Sequence, residues 1–174
     1  MKKSIILAVL VFISTYSASA QTAFKTTKYG HVVNVSLPEY MSRTIGLNDN
    51  AAFQFHNVPK DVSGFIVEDD KAELVIADMK FADAQEFYDN FAKTFLEDQP
   101  SRKFSKPDVR KVNGNTYIHS DFSYFDEEAK LDIYYYVGVI ETATTFYKLI
   151  CFTSSAQKET YKPDFDKIML SIND

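Results

Sequence analysis

Three alternating runs, residues 116–125, 131–140 and 144–153, follow one another with polar breaks of only three to five residues. Nothing else in the sequence restricts the fold so tightly. In the first run Tyr117, His119 and Asp121 alternate with Ile118, Ser120 and Phe122, the period of two that sends successive side chains to opposite faces of a strand. A parallel crossover needs about a dozen residues. The breaks Asp126-Glu127-Glu128 and Glu141-Thr142-Ala143 are too short for that, so the three strands must form an antiparallel meander. Asn113-Gly114-Asn115 reads as a turn leading into it.

The rest of the chain supplies further strands and the helices to cover them. Residues 31–37 alternate and stop at Pro38, and residues 51–58 alternate around Phe53 and Phe55. Residues 64–68 and 71–77 read as a hairpin joined by Asp69-Asp70. Residues 83–98 carry Ala84, Phe87, Tyr88, Phe91 and Phe95 on one helical stripe, with Asp83 as N-cap and Glu86 three residues on. The polar stretch 99–109, with Pro100 and Pro107, reads as a loop. Phe165, Ile168, Met169 and Ile172 define a closing helix with Pro163 in its first turn, and residues 156–161 read as a shorter helical turn before it. Each helix has one apolar face and needs a sheet to bury it. The expected fold is α+β: an antiparallel sheet of about six to seven strands with helices packed on it, an α/β/α sandwich spanning residues 29–174 as a single domain.

The first twenty residues read as a secretory signal peptide. Lys2 and Lys3 form a basic start, residues 5–13 are unbroken apolar, and Ala18-Ser19-Ala20 places small residues before Gln21. So short an apolar run falls short of a hydrocarbon core of ~30 Å. The expectation is cleavage after Ala20, a flexible polar arm over 21–28, and a soluble periplasmic or secreted domain with no integral membrane anchor. Gln21, not a cysteine, follows the cut, so no lipid attachment is expected there. The formal charge of −5 becomes two units more negative once Lys2 and Lys3 leave. That balance argues against nucleic acid as a partner. Cys151 is the only cysteine and lies in an apolar run, which favours a buried structural thiol.

No nucleophile elbow, Walker loop or dinucleotide fingerprint is present, and with five glycines phosphate cradling is poorly supported. No cofactor is expected. The best metal candidate is His119 with Asp121, two residues apart on one strand face, with Asp126, Glu127 and Glu128 as further oxygen donors. A zinc site wants three or four convergent ligands, and a polar solvent-facing strand is the plainer alternative. His31 and His56 lie on separate strands with no ligand spacing between them. Tyr134, Tyr135 and Tyr136 are the candidate contact surface, since tyrosine offers a rigid body with a polar tip. Burial of these rings beneath a helix is the alternative.

Ser36-Leu37-Pro38-Glu39 at the end of an early strand, the meander, and the closing Phe165-x-x-Ile168-Met169-x-Ser171-Ile172 together resemble the PsbP-like superfamily, which includes DcrB-like proteins. The resemblance covers residues 29–173. It implies an antiparallel sheet sandwiched by helices and a non-enzymatic accessory or interaction domain, often exported. Some members of that superfamily bind metal ions, but no ligand set here matches theirs. The expected function is binding, with an unidentified extracytoplasmic protein or small ligand as partner. A small-molecule or lipid carrier with a pocket between helices and sheet is the alternative, and a metal-assisted hydrolase the third reading.

Overall fold

The computed structural model describes residues 22–29 and 33–174. The proposed signal peptide and His31 lie outside the described residues. Strands β1 (Phe24–Tyr29) and β2 (Val33–Pro38) form a separate antiparallel hairpin. Strands β3 (Ser42–Arg43), β4 (Phe53–Asn57), β5 (Val62–Asp70), β6 (Lys103–Phe104), β7 (Asp108–Val112), β8 (Asn115–Asp126), β9 (Leu131–Glu141) and β10 (Thr145–Ser154) form one eight-stranded antiparallel sheet. Its order is β3-β4-β5-β10-β9-β8-β6, with β7 also on β8. The meander β8-β9-β10 is its centre, as the short breaks require. Asn113 and Gly114 both have positive φ, 52° and 86°, the conformation that a tight hairpin turn between β7 and β8 demands.

Helices α1 (Lys71–Ile76) and α2 (Ala84–Thr94) lie on one side of the sheet, and α3 (Lys158–Ser171) on the other. The period of two sorts the side chains between them. Tyr117, Tyr134, Tyr136, Ile140, Leu149 and Cys151 point toward α3, where Phe165, Ile168, Met169 and the β2 residues Val35 and Leu37 close a fully buried core. Ile118, Val139 and Phe146 point the other way, under Ala84, Phe87 and Tyr88 of α2. The Asp83 carboxylate caps α2 by accepting from Gln85 N and Glu86 N. Glu141 of β9 accepts from Ala84 N and pairs with Lys71, which ties the start of α2 to the sheet.

Four local expectations are corrected. Residues 71–77 are not the second arm of a hairpin: β5 runs on to Asp70, whose carboxylate accepts from Ala72 N and Glu73 N and starts α1. The supposed loop 99–109 contains β6 and enters β7, because β8 extends far enough to pair with both. The polar stretch read as an arm contains β1, whose register with β2 runs from Phe24↔Pro38 to Tyr29↔Val33. The closing helix begins at Lys158, so Pro163 sits inside it. Buried Tyr161, one turn before Phe165, extends the apolar stripe upstream.

Candidate functional site

The strand period brings His119 and Asp121 to one face, as expected, and that face is the one α3 covers. His119 is 6% exposed. Its Nε2 lies 2.9 Å from Asp121 Oδ1, the same oxygen that accepts from the Tyr134 hydroxyl at 2.8 Å. Asp121 Oδ2 receives two ammonium groups from α3, Lys162 Nζ at 2.7 Å and Lys158 Nζ at 2.9 Å. Burial raises the Asp121 pKa, but the hydrogen bonds from His119, Lys162, Lys158 and Tyr134 outweigh it and hold the carboxyl well below the usual carboxylate range. Burial, with its bond to Asp121, pushes the Tyr134 phenol up.

A second knot lies beside the first. The His119 ring stacks on Tyr136 with centroids 4.0 Å apart, and the Tyr136 hydroxyl donates to Asp166 Oδ1 at 2.9 Å. Arg110 of β7 grips Asp166 with both terminal nitrogens of its guanidinium. Burial raises the Asp166 pKa, but the bonds from Arg110 and Tyr136 outweigh it and hold it low. Lys158, Lys162 and Asp166 are spaced four residues apart along one face of α3, the spacing that stacks side chains on a helix. The two knots therefore fasten α3 to β7, β8 and β9.

This geometry reassigns the sequence candidates. The carboxylate that was to ligate a metal holds two lysines. Asp126, Glu127 and Glu128 cannot join it, because they begin five residues along β8, about 17 Å away. Among the described residues no group of three or more His, Cys, Asp or Glu side chains converges on a metal position. Tyr134 and Tyr136 are corrected from contact surface to buried anchors, 1% and 0% exposed. Tyr135 points to the α2 side and is half-buried. It packs against Phe95, Phe152 and Tyr124 with ring centroids 5.6, 5.5 and 6.1 Å away. His56 is also half-buried, on β4, and Cys151 is fully buried with its thiol pKa pushed up by burial. Lys158, Lys162, Arg110 and Asp166 were not singled out in the sequence, although the four-residue spacing of three of them on a helix is a visible signal.

The α2 side is different in kind, because α2 covers only part of it. On the β5 flank an open groove of about 460 Å³ is lined by Phe65, Val67, Phe91, Phe95 and Ile150, with the Lys148–Asp69 ion pair, 2.8 Å, at its wall. On the β6 flank a second groove of about 480 Å³ runs between Tyr88 and Ala92 of α2 and the segment Phe104 to Pro107. Its apolar floor is ringed by Lys93, Arg102 and Lys106. Open grooves are not confined to this side: one of about 600 Å³ lies between the β1–β2 hairpin and Phe53, and one of about 240 Å³ opens beside Asp121, Tyr134 and Lys158.

No protein-family model matches the chain, and no curated protein is similar to it in sequence. Solved structures are. Cyanobacterial PsbP (CyanoP) from Synechocystis superposes with a TM-score of 0.62 at 13% identity, over 92% of this chain and 98% of that one. LpqN of Mycobacterium tuberculosis, involved in cell envelope biogenesis, gives 0.56 at 12% identity over 92% and 95%. PA94 of Pseudomonas aeruginosa, a protein of unknown function, gives 0.52 at 12% identity over 87% and 96%. The chain thus has the fold of the PsbP-like/DcrB-like group. Identities this low speak for the fold alone.

Proposed function

We propose that this chain, with its PsbP-like fold, is an exported accessory domain that works by binding and carries no chemistry of its own. The observation that supports this most is the unequal covering of the sheet. The centre of the α3 side is closed by a continuous buried core, while the α2 side keeps two open grooves, of which the one on the β6 flank is largely apolar. Exposed apolar surface of this kind marks interaction sites.

The side chains suited to catalysis are already engaged. Cys151 is buried with its thiol neutral, Asp121 is neutralised by Lys158 and Lys162, and the His119 ring is packed on Tyr136. A metal at His119 and Asp121 would have to displace two ammonium groups. Among the described residues no helix is long and apolar enough to cross a membrane. The basic and apolar start of the sequence supports export. Because the grooves are open and not enclosed, they suit a segment of a partner better than a small molecule to be carried away from water.

The test is photo-crosslinking in the producing cell, with a crosslinking residue at Phe65 or Lys93 and a control at exposed Thr160 on α3. Discrete adducts from the groove positions alone are expected, on a chain whose recovered mass starts at Gln21. Equal adducts from Thr160, or none from either groove, would overturn the binding reading.

A further inference from the structure

We propose that the basic edge of the sheet, β7 together with the groove between β6 and α2, captures an extended acidic segment of another protein as an added strand. This inference rests on the accessory-binding reading and names the class of partner.

The first argument is the backbone. Strand β7 pairs with β8 on one side, and among the described residues no strand pairs with its other side. An open edge presents a row of unpaired N–H and C=O groups that another extended chain can match. Pro107 has no N–H to offer, so pairing is confined to Asp108–Val112, with the groove just before it.

The second argument is charge. Residues 102–111 carry Arg102, Lys103, Lys106, Arg110 and Lys111 against one acid, Asp108, in a chain of net charge −5. Arg110 is spent on Asp166 and Asp108, and Arg102 donates to the Phe95 and Lys93 carbonyls. Lys103, Lys106 and Lys111, with Lys93 across the groove, form no ion pair with any described residue. Lysine and proline on an edge commonly serve only to discourage pairing. That accounts for the charges but not for the apolar residues among them: Phe104 is 61% exposed, Val109 49% and Val112 40%.

The two sets together select the occupant. A second copy of this edge would set lysine against lysine and is repelled. Val109 and Lys111 share the α2 side, so a strand that sets an apolar residue beside Val109 and an acidic residue two positions on, beside Lys111, covers the apolar group and satisfies the cation on one face. Register locates its anchor: Phe104 lies opposite Phe122 and Val109 opposite Ile118, both on the α2 side. Apolar side chains of the incoming strand on that side meet Phe104 and Val109, and one of leucine or phenylalanine size reaches the groove floor at Tyr88 and Ala92. A nucleic acid offers phosphates but no backbone to complete the ladder, and the net negative chain repels it.

The probe is a synthetic eight-residue peptide in which Leu or Val alternates with Glu or Asp along each strand face, titrated into the ¹⁵N-labelled protein. We expect saturable shifts in the amides of residues 103–112 and of Ala92 and Lys93, at peptide concentrations of up to about 1 mM. A Lys106→Glu/Lys111→Glu double variant, with unchanged thermal midpoint, should bind at least roughly tenfold more weakly, as should the native protein when salt rises from roughly 50 to 500 mM. The proposal is overturned by any of three results. These are no shifts at the edge, equal binding of a peptide with Lys in place of its acids, and tighter binding of a single-stranded oligonucleotide of equal charge at the same residues. Shifts confined to the Phe65–Phe95 groove would also overturn it while leaving the binding reading intact.

Discussion

Replacing Asp121 with Asn asks whether the carboxylate exists to hold α3 down. The side chain is 16% exposed and accepts from four donors. Two of these, Lys158 and Lys162, have side chains about one-third exposed (32% and 35%), so they can turn to water once the charge is gone. The other two, His119 and Tyr134, are buried and must keep a weakened partner. Breaking a buried ion pair costs about 3–5 kcal/mol when the orphaned charge stays buried. Because the ammonium groups here can rehydrate, about 2–3 kcal/mol is expected, or about 5–10 °C in thermal midpoint for a domain of this size.

The pH dependence gives the sharper readout. The folded-state pKa of Asp121 is depressed, so its contribution is fully present above the unfolded carboxylate value of about 3.9 and is lost as pH falls below it. The stability gap between wild type and Asp121→Asn, measured by urea unfolding with circular dichroism, should be full at pH 7 and close progressively below about pH 4. Asp166 titrates in both proteins, so its loss largely cancels in the difference. A gap below about 0.5 kcal/mol at pH 7, the value of an exposed pair, would refute the anchoring argument. So would a gap of equal size at pH 7 and pH 3. A Zn²⁺-dependent rise in midpoint that the Asn variant abolishes would return the pair to metal binding.

Gly64→Ala should destabilise the protein by about 1–3 kcal/mol in the same assay, because an added Cβ would lie 2.6 Å from Phe55 Cζ and 3.0 Å from Cys151 Sγ. Phe55→Leu in the same chain should recover part of that loss, and its failure to do so would show that the ring is not the obstacle. Asp70→Ala should cost about 1 kcal/mol by removing the cap of α1, with hydrogen exchange accelerating over residues 72–79 and unchanged in the meander. Faster exchange spread evenly over the whole sheet would contradict a local cap.

The parts of this fold legible in the sequence were those where one strong local pattern met no competitor. The meander was fixed by short breaks and the Asn113-Gly114 turn, and α2 by an aromatic stripe behind a capping aspartate. Elsewhere two patterns overlapped. In residues 70–76 the alternation that suggested a strand competed with Asp70-x-x-Glu73, a helix-start signal, and the cap won because Asp70 reaches two backbone N–H groups. β1, β6 and β7 are polar edge strands, specified by their partners' backbones more than by their own side chains. The Lys158, Lys162 and Arg110 contacts depend on where α3 crosses the sheet, which no local spacing encodes.

The tyrosine run shows why burial, and not residue type, separates anchor from contact. Alternation was right that Tyr134 and Tyr136 oppose Tyr135, yet it could not say which side a helix would seal. α3 covers the side bearing Tyr134, Tyr136, His119 and Asp121, and a buried hydroxyl or carboxylate must then find a partner within the protein. The conspicuous polar cluster is therefore a consequence of closing that side: each of its groups is satisfied from within. The opposite side carries the reverse imbalance. Phe104 and Val109 are about half or more exposed, and Lys93, Lys106 and Lys111 are charged without a counter-ion among the described residues. Groups left unsatisfied by their own chain are the ones a second molecule can complete, and it is on this ground that the binding proposal is set at the β6–β7 edge of the α2 side.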